Sequence, residues 1–471
     1  MKLSFGKKID ATSGNLTKIL WKMAWPLIII NLIQVLYNFA DTFWVGQLED
    51  SANAIAAVST SFSIIFVMVS LAIGLNIATA TLVSMYFGAK DNKNLEASCF
   101  TAIILIGVLA VILAAVGLIF REQLLALINT PPEIYDYALE YYSIIMFGMF
   151  FAFMFYVLSG ILRGVGDVVT PMIAGVASGL LNMVLDPFLI FGWGPFPEMG
   201  VSGAALATII ARALVFFYLV WYIFSGRHHI KLHIKDAKVH WHLAKKMVKI
   251  AIPASISQVF LTLSGFMLFA RVNMFGAVAS SAYSLGSRID SLLFLPSISF
   301  SQATATIVGQ NIGAEKKHRA RKASILAIIQ CGIISFVIST LLMFFPTAIF
   351  DLLFAKAGAP VLLLARDYVM IISFGYAFLS VRLIINGVFQ GAGASMYLMF
   401  TTIASLALRV GLGYAFSYTA LGIQGMFMGI SISFVLSAIF MFIVFRKGKW
   451  LDVDVIKPRK TKKTQDIGER T

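Results

Sequence analysis

Long apolar stretches separated by short polar segments recur along nearly the whole chain. Runs such as 101–119 and 430–445 are continuously apolar instead of alternating in polarity, so they read as helices and not as strands of a membrane barrel. Crossing about 30 Å of hydrocarbon takes roughly 20 helical residues. The pattern predicts twelve such spans, at 17–44, 53–86, 98–120, 135–161, 169–192, 200–225, 248–275, 279–310, 321–347, 361–388, 394–416 and 422–446. Several exceed the minimum length and are expected to tilt or bend. The longest polar interruption before the C-terminal end divides the chain into a first half at 1–225, a linker at 226–247, a second half at 248–446 and a basic tail at 447–471. The fold class expected is all-α: a polytopic membrane protein of twelve transmembrane helices in two six-helix halves.

The two halves repeat each other. Trp25-Pro26 returns as Ile252-Pro253, Gly88-Ala89-Lys90 as Gly313-Ala314-Glu315, Leu162-Arg163-Gly164-Val165-Gly166 as Phe389-Gln390-Gly391-Ala392-Gly393, and Gly200-Val201-Ser202-Gly203 as Gly422-Ile423-Gln424-Gly425. The matches come in order and at nearly constant spacing, the mark of an internal duplication. With an even number of spans, each half enters from the same side. The two should therefore be related by an axis along the membrane normal and rock around a central cavity.

Composition agrees: 59% of the residues are hydrophobic and 13% charged, with a mean hydropathy of +0.88, outside the range of soluble domains. The first apolar run contains Pro26, Asn31, Asn38 and Asp41 and lacks a small-residue cleavage site, so it reads as a span and not as a signal peptide. The formal charge of +15 could point to nucleic acid, but the basic residues cluster at 227–249, 316–322 and from Arg446 onward. With both termini inside, nearly all of them face the cytoplasm and only Arg121 and Lys356 lie outside. Contact with anionic lipid of the inner leaflet is expected, and nucleic acid is not. Cys99 and Cys331, the only cysteines, read as two separate buried thiols with no disulfide or metal framework. The six histidines fall in predicted loops, leaving no intramembrane catalytic or metal-binding set. No phosphate-binding Gly-x-x-x-x-Gly-Lys-Ser/Thr loop occurs, which argues against nucleotide-driven pumping and for an ion gradient.

Ionisable groups inside a membrane are costly, so each is a functional candidate. In the first half these are Asp41 in the first span and Asp186 in the fifth, both toward the outer side. A carboxyl taken out of water favours its neutral form, as a proton-coupled carrier requires. Gln34, Asn38 and Asp41 share one helical face by their spacing, and Tyr37 and Asn182 add hydrogen-bonding groups around them. Pro26 and Pro253 interrupt helical hydrogen bonding at matching places, with Pro26 a candidate hinge. In the second half the charges Arg271, Arg288, Asp290, Arg382 and Arg409 are expected to pair structurally, with Arg288 and Asp290 sharing a polar network.

The chain resembles the multidrug and toxic compound extrusion (MATE) transporters over essentially its whole length. The likeness rests on Tyr37-Asn38-Phe39-Ala40-Asp41-Thr42, Leu162-Arg163-Gly164-Val165-Gly166-Asp167, Gly200-Val201-Ser202-Gly203-Ala204-Ala205, Phe300-Ser301-Gln302-Ala303 and Val308-Gly309-Gln310-Asn311. The resemblance implies two lobes forming a V, and export of organic, often cationic, compounds in exchange for protons or sodium. The stretch from Asn182 to Pro187 is similar to the DinF-like prokaryotic branch, where Asp41 and Asp186 match the coupling pair. It further implies that Tyr37, Asn38, Asn182 and Thr208 line a cavity of the first lobe, and that protonation of Asp41 bends the first span near Pro26. The seventh and tenth spans lack the carboxylates of the NorM-like branch, so a second-lobe sodium site of that type is not expected.

The function expected is a proton-coupled antiporter of the inner membrane, with sodium the alternative ion, no cofactor, no enzyme activity and a monomeric state. The rival is a lipid-linked saccharide flippase of the same wider superfamily, which should show extra spans or a basic central cavity.

Overall fold

The computed structural model describes residues 8–225, 238–344 and 358–456. Twelve helices within them are long and apolar enough to cross a membrane: α1 (Leu16–Val45), α2 (Ser51–Gly88), α3 (Asn92–Ile119), α4 (Pro132–Gly164), α5 (Val169–Ile190), α6 (Gly200–Phe224), α7 (Trp241–Asn273), α8 (Ala277–Gly313), α9 (Lys317–Phe344), α10 (Ala359–Gly391), α11 (Ser395–Ser417) and α12 (Gly422–Arg446). A short helix, Arg121–Leu127, joins α3 to α4.

Two predicted boundaries move. α3 begins earlier because Asp91 caps its polar first turn, accepting the Asn94 amide at 3.2 Å. α7 begins at Trp241, so 241–247 belongs to the helix and not to the linker. Leu243, Ala244 and Met247 recur on one face there and are buried, and the lysines between them mask that face in a hydropathy profile. Of the rest of the expected linker, 226–237 lies outside the described residues, as do His228, His229 and His233. His242 and His318 stand in the first turns of α7 and α9, correcting their assignment to loops. The tail is also more than a basic extension: Lys449–Asp452 forms a 3-10 turn. It buries Trp450, which stacks on Phe445 at 5.5 Å and donates its indole N–H to the Phe445 carbonyl at 3.0 Å.

Helix contacts follow the duplication. α2 packs on α4 as α8 packs on α10, α4 on α6 as α10 on α12, and α1 on α5 as α7 on α11. The cross-half contacts are reciprocal too, α1 against α8 and α7 against α2. The helices carrying the buried prolines Pro26 and Pro253 are thus the ones that lean on the opposite half.

The repeated motifs are helix ends. After α4 and α10, Gly166 and Gly393 take positive φ of 85° and 65°, and the same pattern of amide-to-carbonyl bonds closes both turns, as left-handed C-caps require. Gly88 and Gly313 serve a different need, close approach. Any Cβ on Gly88 would stand 1.9 Å from the Gln310 carbonyl oxygen, and one on Gly313 would stand 1.9 Å from that of Met85. The ends of α2 and α8 therefore touch backbone to backbone.

Over this junction lies the N-terminal segment. Gln310 accepts the Ala11 amide at 2.8 Å and donates to the Gly164 carbonyl at 3.1 Å. Asn311 and Arg319 donate to the Ala11 carbonyl, and Lys316 to that of Thr12. Residues 9–14 form a strap that joins both halves at this end.

Candidate functional site

Near the opposite end, Asp41 and Asp186 stand one turn before the ends of α1 and α5. Asn182, one turn before Asp186, donates through Nδ2 to Asp186 Oδ1 at 3.2 Å and to Thr208 Oγ1 at 3.3 Å. Tyr37 shares a hydrogen bond with Thr208 at 3.2 Å, joining α1, α5 and α6. On the next turns of α1, Gln34 donates to Asn38 Oδ1 at 3.3 Å and accepts from Arg212 at 3.4 Å. Asp41 and Asp186 stand at corresponding heights on α1 and α5, which pack against each other.

Three oxygens here are buried and have no partner among the described residues: Asp41 Oδ1, Asp186 Oδ2 and Asn182 Oδ1. A buried acceptor without a donor costs about 1–3 kcal/mol. Two of the three belong to the bonded pair Asn182 and Asp186 on α5, and the third to α1, which packs against it; unpartnered carboxylate oxygens of this kind fit a proton or a small cation.

The expected pairing of Arg288 with Asp290 does not form. Two residues apart on a helix they point to different sides, and Arg288 lies over the Phe39 ring of the other half, 5.7 Å from its centroid. Asp290 is buried against α10, where Tyr368 and Tyr376 donate their hydroxyls to its two oxygens. Both acceptors of this carboxylate are thus occupied, whereas Asp41 and Asp186 each keep one buried oxygen without a donor. Arg271 reaches Ser417 at 2.8 Å and the Tyr418 ring at 4.2 Å. Among the described residues no group of three His, Cys, Asp or Glu is placed to hold a metal, and both cysteines are buried and free.

Between the halves lies a cavity of about 530 Å³. Its charged lining is Arg163 and Arg212 from the first half and Arg382 and Arg409 from the second, with no Asp or Glu. Arg163 bridges the halves, donating to Gln302 at 2.8 Å and to Asn76 at 2.9 Å. Asn31, also in the lining, donates to Ser299 of the other half at 3.0 Å. Gln34 and Arg212 line both this cavity and the smaller pocket containing Tyr37, Asn182 and Thr208, so the two spaces adjoin. Arg382 and Arg409, expected to pair structurally, face the cavity instead. Arg212 was not singled out from sequence at all, although its place in the sixth apolar run was the available signal.

The MatE family model matches the chain twice, over residues 26–188 and again over 253–415. The chain belongs to the MATE family. Each match starts on a proline of the duplicated pair, so the repeat seen in the sequence is a family feature. Among MATE relatives, a probable multidrug resistance protein of Bacillus subtilis, YpnP, is 29% identical over 444 residues, covering 94% of this chain and 98% of its own. The probable multidrug resistance protein NorM of Thermotoga maritima is 28% identical over 395 residues, covering 83% of each. A solved structure, described as the outward-facing conformation of a multidrug resistance MATE family transporter of the MOP superfamily, matches with a TM-score of 0.89 at 25% identity. It covers 96% of this chain and 100% of that one. This MATE protein is thus a multi-pass membrane transporter with the two-lobe fold, of a family of transport proteins and not of enzymes.

Proposed function

We propose that this MATE protein is an ion-coupled antiporter that exports small organic molecules by alternating access, with Asp41 and Asp186 as the coupling carboxylates. The observation that carries the reading is the contrast between carboxylates. Asp41 and Asp186 keep buried oxygens without donors, whereas Asp290 has a tyrosine hydroxyl on each. Only the first-half pair has acceptors free to take up and release an ion. Protons are the favoured ion, because the unpartnered oxygens are those of two carboxyls and one amide rather than the fuller oxygen shell that a metal cation needs; sodium is the alternative. Tyr37, Asn38, Asn182 and Thr208 link the ion site to substrate, and Gln34 and Arg212 relay its state to the central cavity. No cofactor takes part, and the chain works as a monomer.

Both termini lie in the cytoplasm of a cell whose inner membrane holds the protein, and the basic segments lie against anionic lipid. In that orientation the strap and the α2–α8 contact seal the cytoplasmic end, so this arrangement is the outward-open one. Protonation of Asp41 and Asp186 then alters α1 between Pro26 and its outer end, and the halves rock. The test is transport by the parent protein in proteoliposomes under an imposed proton gradient, a sodium gradient or neither. Faster efflux with the proton gradient alone supports the reading; equal fluxes in all three conditions refute ion coupling. A second reading, flipping of a lipid-linked saccharide, is favoured by one observation, the basic central cavity.

A further inference from the structure

A buried guanidinium costs several kcal/mol unless its charge is compensated. Arg382 is such a group, and Arg163, Arg212 and Arg409, each partly buried, line the same cavity. Among the described residues the ion pair within 4 Å is that of Lys317 and Asp452 at the basic end, so no carboxylate pairs with Arg163, Arg212, Arg382 or Arg409. Arg382 is 6% exposed, makes no hydrogen bond to a described residue and leaves its Nε without a partner. It lies close enough to Arg409 for their charges to repel. Arg409 stands over the Phe434 ring at 5.4 Å, and the carboxylate it feels, Asp290, is not in the cavity wall and has its oxygens taken by tyrosines. Arg212 lies over Phe155 at 5.4 Å.

Structural duty accounts for Arg163, which bridges the halves through Gln302 and Asn76, but not for Arg382 and Arg409. Guanidiniums that merely hold helices together bond to carbonyls or carboxylates, as Arg319 does with the strap. Arg382 and Arg409 hydrogen-bond to nothing described, and the amides that share the cavity lining with them, Asn386, Gln390 and Gln258, carry no negative charge. An organic cation entering here would meet four like charges and no carboxylate.

We infer that the central cavity takes organic anions, with Arg382 and Arg409 holding a carboxylate or phosphate group, Arg163 and Arg212 facing it from the other half, and an apolar body lying against Phe155, Phe294 and Phe434. Guanidinium matches both oxyanions through paired N–H donors. Because each half supplies two arginines, one ligand engages both halves and biases their closure. This inference rests on the transport reading and makes its small organic substrate an anion, in place of the cation that the family resemblance implies. A free organic anion and the headgroup of an acidic lipid present the same chemistry.

The experiment uses the full chain in nanodiscs of phosphatidylcholine, titrated with carboxyfluorescein and, separately, with ethidium, and read by fluorescence anisotropy. The parent should bind carboxyfluorescein more tightly than ethidium. Arg382→Gln and Arg409→Gln should each weaken carboxyfluorescein by about tenfold or more, while Arg121→Gln, which removes the same charge away from the cavity, should change nothing. A second arm measures movement of acyl-chain-labelled phosphatidic acid between the leaflets of proteoliposomes. Carboxyfluorescein binding identifies a soluble anion; lipid movement slowed by the cavity variants, without such binding, identifies an acidic lipid. The parent's preference decides the matter even if the variants fold poorly. Tighter binding of ethidium than of carboxyfluorescein, or neither anion bound nor moved, would overturn the inference. Proton-driven ethidium efflux without anion binding would do so while leaving the antiport reading intact, and anion binding without ion-driven flux would do the reverse.

Discussion

Gly88→Ala tests whether the α2–α8 contact is a seal between two states or ordinary packing. A Cβ at this position would stand 1.9 Å from the Gln310 carbonyl oxygen, 2.6 Å from its carbon and 2.8 Å from Cα. Ordinary contact begins at 3.4 Å, so the helices must part by about 1.5 Å, and backbone cannot swing aside as a side-chain tip can. Overpacking of this kind costs about 1–3 kcal/mol. The cost falls only on the arrangement in which the two helix ends touch, so the equilibrium should move about 5- to 150-fold toward the arrangement in which they separate. The reporter is a Thr81→Cys substitution in a chain also carrying Cys99→Ala and Cys331→Ala. Thr81 is 3% exposed and bonds across the junction to the Gln390 carbonyl at 2.8 Å. A membrane-impermeant maleimide added on the strap side should label the reporter several-fold faster when Gly88→Ala is present, and Gly313→Ala should act likewise. Unchanged labelling together with a lower melting temperature would refute the reasoning, because the glycines would then serve packing alone.

Other substitutions probe the same end. Gln310→Ala strands the Ala11 amide and the Gly164 carbonyl, at a cost of about 1–3 kcal/mol each if both stay dry, and should raise Thr81→Cys labelling as well. Asp10 is partly buried, which pushes its carboxyl up, but bonds from Thr12 and the charges of Lys90 and Lys316 outweigh this and hold it below its ordinary 3.8. A carboxyl lowered in the folded state stabilises above the unfolded value, and that contribution is lost as pH falls through the lower folded one. Hydrogen exchange of residues 9–14, corrected for intrinsic rates, should therefore stay constant down to about pH 5 and rise below about pH 4, and Asp10→Asn should abolish that rise. Trp450→Ala should lower thermal stability in detergent by about 3–5 kcal/mol. Asp452→Asn, which breaks the exposed bond to Lys317 at 2.9 Å, should change it by less than about 1 kcal/mol.

The spans were legible because uninterrupted apolar runs need no knowledge of tertiary contacts. The duplication was legible for a sharper reason: its surviving motifs are places where backbone geometry restricts the residue, as the positive φ of Gly166 and Gly393 and the close approach of Gly88 and Gly313 show. Asp41 and Asp186 stood out because a carboxylate in an apolar run is rare, and the bonds of Asn182, Tyr37 and Thr208 place their surroundings on three helices that sequence spacing alone could not bring together. The second-half charges were misread for the complementary reason. Adjacency along the chain suggested Arg288 for Asp290, but its partners Tyr368 and Tyr376 come from another helix. Whether Arg382 and Arg409 pair or face a cavity depends on how helices apolar on most sides are rotated, and such helices carry little periodic signal. The start of α7 was hidden by lysines that lower hydropathy without ending the buried face.

The most direct test compares Asp41→Asn and Asp186→Asn with the parent in proteoliposomes, in two modes: substrate exchange with equal pH and sodium on both sides, and efflux driven by a proton or sodium gradient. Asn keeps the shape of each side chain but cannot take up the proton. Ion coupling at these residues predicts that both variants retain exchange and lose gradient-driven efflux. Gradient-driven efflux at the parent rate in both variants would contradict it and make these aspartates structural.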